Sequence, residues 1–139
     1  MKKLMLLLTL MTMLVTSVES AEYIAKDNFV VIDSKDSLAS LYIFGKKKPI
    51  VGLFVRQKVY EDREDGTYIL VTTDDGSEYS IEVTLAEENL YEITNDGGFV
   101  NLLMTNHEIK ISILLADISK TIHPLFITHG FNNSFQRMK

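Results

Sequence analysis

The sequence predicts a mainly β protein, an antiparallel β-sandwich or open barrel of about seven or eight strands. It adds a short helix near 97–105 and a C-terminal helix near 130–138. Three observations predict this class. Ile109, Ile111, Ile113 and Leu115 recur at every second position, the period of a strand with one buried face. Asp75-Gly76 stands between two alternating runs, and residues that tolerate positive φ suit the type I′ turn of a tight hairpin. Phe131, Phe135 and Met138 are spaced i, i+4, i+7, one face of a helix. A helix that short does not hold itself together in water, so its rings are expected to dock on the β-structure as a lid over one end.

The domain begins after residue 20. Met1-Lys2-Lys3 is a basic start and residues 4–15 are an uncharged apolar run broken only by threonines. Val18-Glu19-Ser20 then offers a cleavage site with Ala21 as the first mature residue. The run falls short of the roughly 20 apolar residues that span a bilayer. A cleaved export signal is therefore expected over residues 1–20, and a single β-rich domain over 21–139. The periplasm of a Gram-negative cell is the expected compartment, with secretion as the alternative. There is no cysteine, so the core alone must supply stability.

Within the domain, residues 22–28 read as a polar lead and Phe29-Val30-Val31-Ile32 as the first strand, stopped by the turn formers of residues 33–37. Residues 38–44 are apolar on both faces, as in a central strand. Residues 50–60 read as a long strand with Leu53, Val55 and Val59 inward and Arg56 and Lys58 outward. An acidic hairpin loop over 61–66 returns the chain through 68–73. Beyond Asp75-Gly76, Tyr79, Ile81, Val83 and Leu85 point inward. Ser80, Glu82 and Thr84 point outward, and a one-residue slip would bury Glu82.

For residues 85–93 a turn at 86–89 followed by a short strand is favoured over a helical turn capped by Thr84 and Glu87. Phe99, Leu102 and Leu103 follow Asp96 at helical spacing, with Asp96 as a cap and Asn106 as a left-handed terminator. An extended reading with Val100, Leu102 and Met104 on one face competes. Residues 108–116 and 122–128 read as strands, and His129-Gly130 turns the chain into the last helix.

Chemistry-bearing motifs are sparse. No G-x-S-x-G is present, and no two of His107, His123 and His129 have the spacing that places a pair of ligands on one metal. Turn or surface histidines are the expectation, with no catalytic, cofactor or metal residues assigned. The acidic runs at 62–65 and 74–75 lack the alternating oxygen ligands of a calcium loop and read as hairpin tips. Lys46-Lys47-Lys48, between Gly45 and Pro49, reads as a solvated turn. The candidate contact surface is Arg56, Lys58, Tyr60 and Tyr68, since tyrosine and arginine are favoured at protein interfaces.

Gly97-Gly98, residues 99–104, the alternating run 109–113 and residues 126–135 follow one another in an order that resembles the C-terminal half of the bacterial invasion-associated locus B family. That resemblance implies an exported β-sandwich protein and no particular activity. The family's usual cysteines and early tryptophan are absent here.

Without Lys2, Lys3 and Glu19 the whole-chain count of 14 basic and 19 acidic residues becomes 12 and 18, a net charge of −6. That balance argues against binding nucleic acid, which needs a basic face. The expected function is therefore a non-enzymatic, protein-binding or envelope-associated exported protein whose partner is another envelope or secreted protein. Two alternatives stand beside it. One is an immunity or inhibitor protein against a toxin or hydrolase. The other is a small-ligand carrier with a cavity between the sheets.

Overall fold

A computed structural model describes residues 23–25, 29–94, 96–117 and 120–138. The expected export signal lies outside them, as does the side chain of Asp96 proposed as a cap. The elements are β1 Tyr23–Ala25, β2 Phe29–Asp33, β3 Ala39–Phe44, β4 Ile50–Val55, β5 Thr67–Thr72, β6 Glu78–Glu87 and β7 Leu90–Ile93. Helix α1 Asp96–Thr105 follows, then β8 Glu108–Leu114, β9 Thr121–Ile122, β10 Leu125–Ile127 and helix α2 Phe131–Gln136. All strand pairs are antiparallel and belong to one sheet, ordered β1-β2-β3-β4-β7-β6-β5-β8-β10 with β9 beside β8.

The sheet curls until its last strand meets its beginning. The Lys35 N–H, in the β2–β3 turn, donates to the Leu125 carbonyl of β10 at 2.8 Å. The result is a curled half-barrel, the open-barrel member of the two expected architectures. Its concave side holds the core. Leu41, Ile43, Leu53, Val71, Ile93 and Ile111 are fully buried there, in one cluster with Phe99 and Leu103 of α1 and Phe131 of α2. A second cluster of Phe29, Val31, Tyr42 and Leu90 occupies the other face, which is why β2 and β3 are apolar on both sides.

Several local expectations hold. β3 is central, between β2 and β4. β6 buries Ile81 and Val83 and exposes Ser80, Glu82 and Thr84. Residues 88–89 turn into β7, and α1 occupies the 97–105 region. The last helix is α2, Phe131–Gln136, shorter than the expected 130–138; Phe131 and Phe135 within it and Met138 just beyond it are buried, while Asn132, Asn133 and Gln136 face water. The helix packs against α1, β1 and β2, so the lid is in place.

The departures have physical causes. β4 stops at Val55 instead of running to Tyr60, because its neighbour changes. Val55 N–H bonds the Asn89 carbonyl, Val59 N–H bonds Glu88, and Val59 bridges to Leu115. The 61–66 loop is thus no hairpin: β7 and β6 lie between β4 and β5. Residues 56–66 are the long connection of a Greek key. The Asp75-Gly76 turn has positive φ only at Gly76, and Gly76 N–H bonds the Thr73 carbonyl at 3.0 Å. It is a type I turn closed by a left-handed glycine rather than type I′.

Asn106 is not left-handed. It ends α1 with its side chain, Nδ2 donating to the Leu102 carbonyl at 2.9 Å. The polar lead contributes β1, and residues 122–128 split around His123-Pro124 because proline has no N–H to give a ladder. Tyr79 sits at the hairpin end of β6 and is 45 % exposed rather than buried.

Candidate functional site

The crossover carries most of the expected contact surface. Arg56 leaves β4 with its N–H on the Leu38 carbonyl and its side chain in solvent. Its charge is felt at Tyr42, whose hydroxyl burial pushes up to about 12, Asp33 adding to the rise and Arg56 opposing it. Lys58 is exposed and lies 3.6 Å from Glu88 of the β6–β7 turn. Such an exposed pair contributes little to stability.

Tyr60 is half-buried. Its N–H donates to Leu114 and its carbonyl accepts the Tyr91 hydroxyl. Burial, with Glu61 nearby, pushes the Tyr91 hydroxyl upward and keeps it a donor. Asp62 then shapes the loop by accepting the N–H groups of Glu64 and Asp65, both at 3.0 Å. Tyr68 stands apart on the outer face of β5, cross-strand from Glu82 and 53 % exposed. Arg56, Lys58 and Tyr60 therefore share one tethered connection, and Tyr68 lies on the strand that this connection enters.

The lysine turn has an unexpected contact. Lys46 Nζ donates to the Gln136 carbonyl at 2.8 Å, placing a cation at the C-terminal end of α2, where it satisfies a free carbonyl.

The fold also assembles a polar cluster that spacing did not reveal. Asp74 of the β5–β6 hairpin accepts the N–H of His107 at 2.7 Å and that of Glu108 at 3.1 Å. Those bonds hold its carboxyl below the usual range, the His107 amide foremost. The His107 carbonyl in turn accepts the N–H groups of Thr128 and His129, at 2.8 and 2.9 Å. The two imidazole rings lie 5.2 Å apart, centre to centre, beside a cleft of about 130 Å³ lined by Met104, Asn106, Thr128 and Asn132 among others. His107 and His129 are surface turn residues, as expected, yet they are neighbours. No sequence signal could have found this, because residues 74, 107 and 129 are joined only by the return of β10 along β8.

His123 lies elsewhere, its Nδ1 2.8 Å from the Ser112 hydroxyl on the outward side of β8. Among the described residues no helix is long and apolar enough to cross a membrane.

These elements define a class: a small curled antiparallel sheet closed by a two-helix lid, with a tethered crossover on its surface. Among solved structures, invasion associated protein B from Bartonella henselae has this fold, with a TM-score of 0.56 and 13% identity over 78% of this chain and 81% of that one. The likeness read from residues 97–135 thus extends to the architecture of most of the chain. No protein-family model matches, and neither does any curated protein sequence.

Proposed function

We propose that the protein is exported, remains associated with the envelope, and acts without catalysis by binding another envelope or secreted protein through Arg56, Lys58, Tyr60 and Tyr68. The observation that carries this reading is Tyr68, a large aromatic more than half exposed on the outer face of β5, opposite the exposed Glu82 and beside the half-buried Leu70. Tyrosine and arginine are among the residue types in which interface binding energy concentrates. The basic start and apolar run of residues 1–20 support export, and the fold shared with an invasion associated protein fits a bacterial envelope setting.

Affinity capture from an envelope extract tests the reading. The wild-type chain should retain a discrete partner that Arg56→Glu and Tyr68→Ala each lose. Retention of the same proteins by all three chains would refute the assignment. An inhibitor role keeps one point in its favour, the net charge of −6 on the mature chain, and a basic hydrolase as the captured partner would select it.

A further inference from the structure

The two imidazoles at the base of the lid are spaced as the ligands of a tetrahedral metal ion would be. With zinc about 2.0–2.1 Å from one nitrogen of each imidazole, and each ring centre about 1.1–1.2 Å farther out, a tetrahedral angle sets the ring centres about 5.2 Å apart. A right angle, as in square-planar coordination, sets them at about 4.5 Å by the same construction. The observed separation of His107 and His129 is 5.2 Å.

The backbone of His107 is held at both its amide and its carbonyl, and that of His129 at its amide. Asp74 grips the His107 amide, and the His107 carbonyl grips the His129 amide. Thr128 Oγ1 adds a bond to the Asn106 carbonyl at 2.5 Å. The rings lie at the surface, so turning them about Cβ–Cγ to aim both nitrogens at one point requires no repacking of the core. Asp74 Oδ2 lies 3.5 Å from His107 Nδ1. Drawn a few tenths of an ångström closer, that carboxylate would accept the Nδ1–H, the arrangement that orients metal-ligating histidines and leaves the other nitrogen for the ion.

We infer that His107 and His129 form a two-imidazole site for Zn²⁺ at the junction of the β5–β6 hairpin, the α1–β8 link and the β10–α2 link. Asp74 is a positioning residue and not a ligand, since both its oxygens are bonded to backbone amides. Among the described residues no set of three or more histidine, cysteine, aspartate or glutamate side chains is placed to hold a metal. The chelate therefore leaves two positions of the tetrahedron open, to water or to a donor from a second molecule. An ion there ties the entry of α2 to the hairpin and α1, so it also fastens the lid.

The test is calorimetric titration of ZnCl₂ into the purified chain at neutral pH. Saturable binding at a single site is expected. His107→Gln and His129→Gln should each weaken it roughly tenfold or more, as loss of a ligand or its support does, and His123→Gln should leave it unchanged. Absence of saturable binding, or an equal loss in His123→Gln, overturns the proposal. Co²⁺ added to the wild-type chain gives a reading that needs no variant. The intense visible bands of a tetrahedral complex support the site, and only the weak absorption of an octahedral ion contradicts it.

Discussion

Asp75 makes more contacts than its place at a hairpin tip suggests. Its carboxylate accepts the Thr73 hydroxyl at 2.7 Å and the Ser77 amide at 3.0 Å. These bonds, the Thr73 hydroxyl first, hold its pKa down at about 2 from an ordinary 3.8. The folded-state value is the lower one, so the stabilisation is complete above the ordinary value and is lost as pH falls through about 2. A carboxyl NMR titration should place the Asp75 midpoint near 2, and a midpoint near the ordinary value would mean that the bonds do not persist in solution. Single residues were legible in the sequence to the extent that their role is local. Asp75-Gly76 marked the hairpin because a glycine is needed where φ is +84°, but the turn type was not legible, because it depends on how β5 and β6 meet.

Elements were legible where a period is sustained. Ile109, Ile111 and Ile113 and the pair Ile81 and Val83 are buried as their alternation predicts. The spacing of Phe131 and Phe135 likewise marks a helix whose rings stack at 5.5 Å. Phe131 is fully buried and Phe135 is 6 % exposed, so α2 is held by what it docks on and not by its six residues. Phe135→Ala should cost about 3 to 5 kcal/mol, the range for emptying a buried phenylalanine site, measured by urea denaturation. A loss below about 1 kcal/mol would show the tail to be frayed. The 50–60 segment was misleading for the same reason that the others were not. Its period continues through Val55 and Val59, both buried, although the backbone between them has left one strand and is crossing to another.

At the scale of the molecule, the curl of the sheet and the Greek key arise from pairings between residues far apart in sequence, such as Val51 with Ile93 and Val59 with Leu115. No local pattern encodes them. The class of fold was legible because strands separated by turns have few ways to bury one face each; the strand order was not. The same holds for the surface. Arg56, Lys58 and Tyr60 were legible as outward or amphipathic positions, and the crossover that carries them was not. His107, His129 and Asp74 converge only once β10 has folded back on β8. In the function we propose, the crossover and the outer face of β5 form the contact surface for another protein. Site-specific photo-crosslinking in the native host tests this, with a benzophenone amino acid placed in turn at Lys58, Tyr68 and, as a control on the exposed side of α2 away from the histidine cleft, Asn133. A discrete crosslinked product from positions 58 and 68, absent from 133, is the predicted result. No product from 58 and 68, or the same product from all three positions, would contradict the claim.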